Sequence, residues 1–229
     1  MNVKKFNKKI IISISIILLG LFISYLIYHG KGGLWSFLRK KIFYNKEINT
    51  LYVRIMEAFN KKDLDKAENL ALKLEEYETE KVNAYNILGK IAMMRKDYEK
   101  ALMYFKKALK IKPKSVDTLN NLGTYYYERK DYEKAKDYFL QALTVDPDYP
   151  YAHYHLAEIY MLQHNSKKAS EELDLAMKRG FADPDILLAR GLMYVYEKNT
   201  KKALEIYKRL KNKDAEKAKY LFNEIYSSK

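Results

Sequence analysis

One pattern occurs twice and decides the fold. It reads VNAYNILGKIAMMRKDYEKALMYFKKALKIKPKS at residues 82–115 and VDTLNNLGTYYYERKDYEKAKDYFLQALTVDPDY at residues 116–149. The shared residues are Leu88, Gly89, Ala101, Phe105, Ala108 and Pro113 in the first copy, and Leu122, Gly123, Ala135, Phe139, Ala142 and Pro147 in the second. A pattern that repeats every 34 residues indicates stacked helix pairs, because a single pair cannot bury its apolar face alone.

The pattern resembles the tetratricopeptide repeat (TPR). In that family, Leu-Gly and an aromatic residue lie on a first helix, and Ala, Phe, Ala and Pro lie on and after a second. The main departure is Ala92, where the family has an aromatic residue. Small residues let the two helices approach closely, and large residues fill the space beside them. The resemblance implies an all-α fold, an α-solenoid of helix pairs.

The same register fits five times along the chain. The predicted repeats are residues 48–81, 82–115, 116–149, 150–183 and 184–211. A further segment, residues 212–229, has apolar residues spaced as on one face of a helix, so we expect a C-terminal capping helix there.

Residues outside the defining pattern keep this register. An Asp or Asn precedes each second helix, at Asp63, Asp97, Asp131, Asn165 and Asn199. These side chains predict N-caps, since their oxygens accept from free amides at a helix start. A lysine also recurs three residues later, at Lys66, Lys100, Lys134, Lys168 and Lys202. We interpret these lysines as exposed, solubilising positions.

The N-terminal part of the chain predicts a membrane anchor. A basic segment, residues 1–9, precedes an uncharged apolar run at residues 10–28. A helix of that length is about 28 Å long, which matches the hydrocarbon core of a bilayer. A cleaved signal peptide is the alternative, but the run is long for a signal core and its exit lacks the small residues of a cleavage site. We therefore predict one uncleaved transmembrane helix before the repeats.

The distribution of lysine and arginine sets the expected orientation. The cluster before the span favours an amino terminus in the cytoplasm, a single pass through a bacterial cytoplasmic membrane, and extracytoplasmic repeats. Residues 29–47 then form a connector, either a helix at the lipid interface or a cap on the first repeat. Within the span, small residues at Ser13, Gly20 and Ser24 leave homo-oligomerisation open.

Charge and composition exclude several functions. The net charge is +14, but residues 1–41 hold eight basic residues and no acidic one, so the repeats are only mildly basic. We therefore expect no nucleic-acid partner. The chain has no cysteine, which excludes disulfides and thiolate metal sites. His153 and His155 face different sides of a helix, and no third ligand joins His155 and Glu158, so we predict no metal, cofactor or catalytic site.

The TPR resemblance implies a groove lined by the first helix of each repeat. Carried onto this chain by register, the groove residues are Tyr52, Met56, Asn83, Asn86, Lys90, Asn120, Asn121, Thr124, Glu128, Tyr151, Tyr154 and Glu158. Asn suits the backbone of an extended peptide, and Tyr supplies rigid apolar area with a polar tip. The sequence thus predicts a membrane-anchored adaptor that binds a protein segment. The alternative is a self-associating structural subunit without peptide recognition.

Overall fold

The computed structural model describes residues 34–178 and 181–227, with side chains from residue 44 onward. Within these ranges the chain forms eleven α-helices and one short 3-10 turn. The helices are α1 (Leu34–Asn60), α2 (Leu64–Glu75), α3 (Lys81–Met94), α4 (Tyr98–Ile111), α5 (Val116–Glu128), α6 (Tyr132–Val145), α7 (Pro150–Leu162), α8 (Ser166–Ala176), α9 (Pro184–Tyr196), α10 (Thr200–Lys211) and α11 (Ala215–Ser227).

The chain divides into two compact units, the first ending at Asp63 and the second beginning at Leu64. The described part of the first unit is helix α1 and the turn that ends it. Helix α1 continues through the predicted boundary between residues 29–47 and 48–81, because none of its residues is Gly or Pro. Its buried apolar residues recur every three or four positions, at Ile48, Leu51, Ile55 and Ala58.

The predicted membrane span, residues 10–28, lies outside the described residues. None of the helices in the described part of the chain is both long enough and apolar enough to cross a bilayer.

The second unit is a helical array that runs from α2 to α11. Helix α3 packs on α4, α5 on α6, α7 on α8, and α9 on α10. Each second helix also packs on the first helix of the next repeat, and the first helices touch each other, α3 with α5 and α5 with α7. Helix α11 packs against α9 and α10, as expected for a capping helix. The order of contacts is that of a TPR solenoid.

One turn geometry recurs between the two helices of every repeat. A residue with φ of 56° to 62° ends each first helix, at Lys62, Lys96, Lys130, His164 and Lys198. The next residue donates its backbone N–H to the carbonyl five positions earlier, as from Asp97 to Ala92 at 2.9 Å. This is a Schellman ending. The same Asp or Asn then caps the second helix, and the structure confirms this N-cap at Asp97, Asp131, Asn165 and Asn199.

The Leu-Gly glycines are required by close packing. A Cβ atom on Gly89 would lie 2.3 Å from Cε1 of Phe105, and a Cβ atom on Gly123 would lie 2.4 Å from Cε1 of Phe139. Such distances are far below van der Waals contact, so any larger residue would displace the ring. Both phenylalanines are fully buried as a result. The pattern that defines the repeat is therefore scaffold.

The recurring lysines have a structural role that the sequence interpretation missed. In the last three repeats the ammonium group lies over the aromatic ring of that repeat's first helix. The pairs are Lys134 over Tyr126 at 5.4 Å, Lys168 over Tyr160 at 5.3 Å, and Lys202 over Tyr194 at 5.2 Å from the ring centroid. These distances are typical of cation–π contacts. Three of the five recurring lysines therefore make this contact, whereas Lys66 and Lys100 recur in repeats that have Ala58 and Ala92 at the position of the ring.

Candidate peptide-binding site

Ten of the predicted groove residues, from Asn83 to Glu158, lie on the first helices α3, α5 and α7. Solvent exposure divides them into three groups. Asn83, Lys90, Glu128 and Tyr151 are exposed, Thr124, Tyr154 and Glu158 are half-buried, and Asn86, Asn120 and Asn121 are buried. The buried group is unusual, because Asn side chains are mostly exposed in folded proteins.

Asn86, Asn120 and Asn121 form what we name the asparagine row. Asn86 and Asn120 occupy the same position in successive repeats, on helices α3 and α5, which are in contact. The three residues are 7%, 7% and 6% exposed. Oδ1 of Asn86, Oδ1 of Asn120 and Nδ2 of Asn121 nevertheless have no hydrogen-bond partner. Each such buried atom costs about 1–3 kcal/mol, so the row holds three unmet hydrogen bonds.

A hydrogen-bonded network extends from the asparagine row toward α7. Thr124 donates its hydroxyl to the main-chain oxygen of Asn120 at 3.1 Å, and its Oγ1 lies 3.4 Å from Nε2 of His155. Nδ1 of His155 lies 2.8 Å from one carboxylate oxygen of Glu158. The other oxygen accepts from the Tyr154 hydroxyl at 3.1 Å. The structure thus brings three predicted residues, Thr124, Tyr154 and Glu158, into one network.

Two residues of this region were missing from the predicted site. The ring of His155 stacks on Phe139, with centroids 5.0 Å apart and planes inclined by 18°. The ring of Tyr127 lies 6.3 Å from that of His155, and burial together with the nearby Glu158 raises the pKa of Tyr127 to about 12. The spacing of three residues between His155 and Glu158 was the available signal, since such residues share a helix face.

Two predicted residues make their hydrogen bonds elsewhere. Asn83 donates from Nδ2 to Glu80 at 2.9 Å, just before the start of its own helix. Tyr151 donates its hydroxyl to Asp183 at 3.2 Å, in the turn that precedes α9. The structure therefore gives these two residues local partners rather than a place in the network around the asparagine row.

Lys90 follows Asn86 by one helical turn and so shares its face of α3. Its side chain reaches solvent and, within the described part of the chain, forms no ion pair. Surrounding protein atoms lower the pKa of Lys90 by reducing its solvation, and the charge of Asp117 opposes this effect only in part. A partly desolvated ammonium group is therefore available near the asparagine row.

His153, the other histidine of α7, belongs to the scaffold and not to this network. His153 is buried, with Nδ1 2.6 Å from Glu172 and Nε2 3.0 Å from the main-chain oxygen of Pro147. His153 and His155 thus contact different helices, as their spacing predicted. Across residues 34–178 and 181–227 we find no group of three His, Asp or Glu side chains that could hold a metal ion.

Family models match the part of the chain that carries the site. Two models of the tetratricopeptide repeat match, one over residues 80–148 and the other over residues 126–192. These residues are tetratricopeptide repeats. The TPR segment therefore contains both the asparagine row and the network around Glu158. No curated protein matches the chain.

Solved structures confirm the TPR fold. A thermophilic TPR protein of Thermus thermophilus is 21% identical with a TM-score of 0.64, covering 78% of this chain and 98% of that one. The pilF protein of Pseudomonas aeruginosa is 16% identical with a TM-score of 0.58, covering 81% and 94%. One chain of the Cut9–Hcn1 hetero-tetramer of the APC/C is 16% identical with a TM-score of 0.59, and the match covers 75% of this chain and 35% of that one. At these identities the likeness concerns the fold alone.

Proposed function

We propose that this TPR protein is an adaptor that binds an extended protein segment along α3, α5 and α7. TPR proteins generally act as scaffolds for protein–protein interaction. The asparagine row carries the proposal, because it holds buried polar atoms that the folded chain leaves unpaired.

An extended peptide backbone supplies what these atoms lack. Oδ1 of Asn86 and Oδ1 of Asn120 each require an N–H donor, and Nδ2 of Asn121 requires an acceptor such as a carbonyl oxygen. Packed helices are about 8–10 Å apart, which corresponds to roughly three residues of extended chain. A peptide that crosses from α3 to α5 can therefore pair with both acceptors once the buried amide oxygens turn toward it. The asparagine row would bind main-chain groups of the peptide, and neighbouring side chains would determine which peptide sequences are preferred.

The neighbours of the row favour a segment of mixed polarity. Lys90 offers a cation on α3, and Glu158 offers a carboxylate on α7 that already accepts two hydrogen bonds. Tyr127 and Tyr154 add rigid, half-buried aromatic area beside them. A segment with an acidic residue toward α3 and a basic or aromatic residue toward α7 would fit these charges.

The location of the adaptor is a further part of the proposal. The apolar run at residues 10–28 supports a single span in a bacterial cytoplasmic membrane, with the repeats on the extracytoplasmic side. The protein would then hold its partner near that membrane without converting it chemically. The Cut9–Hcn1 hetero-tetramer is a precedent only in that a chain of this fold assembles with a different protein.

The test compares partner capture by the full chain in lipid nanodiscs with capture by Asn86→Leu/Asn120→Leu. These changes keep the branched shape of the side chain but remove both unpaired acceptors. We expect the affinity for a captured segment to fall about tenfold or more. Asn69→Leu/Asn212→Leu, at two exposed positions, is the matched control. Equal affinity for the site variant and the control would refute the site. If the protein forms crosslinks only with other copies of itself, the alternative of a self-associating structural subunit would be favoured.

A further inference from the structure

Helix α4 and the turn after it carry an unusual concentration of positive charge. Residues 100–116 contain six lysines and no acidic residue. The equivalent stretch of the next repeat, residues 134–150, contains two basic and three acidic residues. The stretches at 66–82 and 168–184 also hold more acidic than basic residues, and the one at 202–218 holds six basic and three acidic residues. The repeat fold does not require this charge, because its other copies lack it.

Most of these lysines are free of intramolecular partners. Lys106, Lys110, Lys112 and Lys114 are exposed and form no ion pair with any described residue. Lys107 lies over the rings of Tyr85 and Tyr104, at 5.4 Å and 5.6 Å from their centroids. The four free lysines are not neutralised within the chain.

Apolar side chains are exposed among these charges. Met103, Lys106 and Lys110 share one face of α4, since they follow each other at helical spacing. Met103 is 42% exposed, and Ile111, at the end of the helix, is 49% exposed. We name these two residues together with Lys106, Lys110, Lys112 and Lys114 the lysine face. A basic face that also presents large aliphatic groups is typical of segments that lie on membrane surfaces.

We propose that the lysine face docks on the surface of an anionic bilayer. Lysines near such a surface are attracted by its negative potential, and Met103 and Ile111 can enter the boundary between headgroups and acyl chains. A nucleic acid fits less well, because residues 100–116 contain no arginine and the ring of Tyr104 is stacked on Tyr85, 6.2 Å between centroids. This contact is separate from the asparagine row and would orient the repeats relative to the bilayer.

The absence of cysteine from the chain allows a direct test in the full-length protein. Ile111→Cys carries an environment-sensitive fluorophore, and Val145→Cys is the matched control. Val145 is 40% exposed and lies at the equivalent position of the next repeat. Each protein is reconstituted into vesicles of phosphatidylcholine alone or with about one third phosphatidylglycerol.

We expect the Ile111→Cys label to report an apolar environment, and to be quenched by lipid-borne bromine, only in the anionic vesicles. The signal should disappear at about 0.5 M salt, where exposed charges are screened. The Val145→Cys label should not respond. Equal responses of the two labels, or a response of Ile111→Cys that is independent of lipid charge, would overturn the proposal.

Charge variants in the Ile111→Cys background complete the test. Each lysine near an anionic surface contributes a factor of about five, so Lys106→Gln/Lys110→Gln should lower the ratio of docked to undocked chains about 25-fold. Lys208→Gln/Arg209→Gln removes the same charge from exposed positions of α10 and should leave the ratio unchanged. Equal losses would show a net-charge effect and contradict a specific face. A label response to DNA or polyglutamate but not to vesicles would assign the face to a soluble polyanion instead.

Discussion

Buried polar residues are treated differently in two parts of the repeat array. Between α3 and α5, the asparagine row leaves three side-chain atoms without a partner. On α7 and α9, the N–H groups of the buried residues His153 and Arg190 lie within hydrogen-bond distance of acceptors. Because the same chain can satisfy buried polar groups fully, the unpaired atoms support the proposed peptide site.

Arg190 illustrates how fully a buried polar side chain is hydrogen-bonded in this part of the array. Its Nε and Nη2 atoms donate to the two oxygens of Asp174, at 2.8 Å and 3.0 Å. Nη1 donates to Ser170 at 2.9 Å and to Glu197 at 3.3 Å. The guanidinium group also lies 3.9 Å from the ring centroid of Tyr194. This bidentate and stacked arrangement connects α9 with α8, so its role is structural.

The largest expected effect tests that structural role. Arg190→Ala should lower the free energy of unfolding by about 3 kcal/mol, because it removes a buried guanidinium group together with its ion pair to the exposed Asp174, two further hydrogen bonds and the contact with Tyr194. Arg190→Leu should cost less than half as much, since leucine fills the site and stands at the same position in three other repeats. Urea unfolding of the full chain in detergent, followed by circular dichroism, measures both. A loss as large for Arg190→Leu as for Arg190→Ala would show that the charge network, and not the packing, is required.

The asparagine row should behave in the opposite way. Asn86→Leu and Asn120→Leu each remove a buried acceptor that has no partner, so each should stabilise the unbound protein by about 1–2 kcal/mol. The same unfolding experiment applies, with Asn69→Leu as an exposed control that should change stability little. A clear loss of stability in both row variants would mean that these asparagines are structural. The comparison between the two regions would then fail, and with it the argument for a peptide site.

Sequence periodicity predicted the repeat scaffold well, for a physical reason. Gly89 and Gly123 face a phenylalanine ring of the same repeat, and Asp97 and Asp131 cap the helix that follows them. Such contacts join residues of the same repeat and recur in successive copies, so they are visible as a periodic pattern in the sequence. Helix α1 was harder to predict, because the absence of Gly and Pro lets a helix continue through a boundary that only the repeat register defines.

The candidate site could be predicted only in outline. Register placed Asn86, Asn120 and Asn121 on the correct helices, but it could not show that these side chains are buried. One partner of each residue, Thr124 for His155 and Asp174 for Arg190, comes from the adjacent repeat and does not recur. No periodic signal could therefore show which polar residues are paired, and this distinction separates the site from the scaffold.

The smallest expected effect is a pH dependence of the free energy of unfolding that arises from His153. Burial alone would lower the pKa of His153, but hydrogen bonds to Glu172 and to the Pro147 carbonyl outweigh burial, so the net shift is upward. A raised pKa in the folded state means that the contribution to stability is full below the unfolded value of about 6.5 and is lost as pH rises through the folded value. The loss should be small, because neutral His153 still donates one of its two hydrogen bonds.

This expectation is checked by urea unfolding at pH values from about 6 to about 9, a range that includes the usual histidine pKa of about 6.5. His153→Gln should remove the dependence, whereas Asn86→Leu should shift stability equally at every pH, because an amide does not titrate. Stability that instead rises across this range in the wild-type chain, and no longer does so in His153→Gln, would show that His153 is held neutral. It would then be a packed imidazole rather than a cation bound between Glu172 and Pro147.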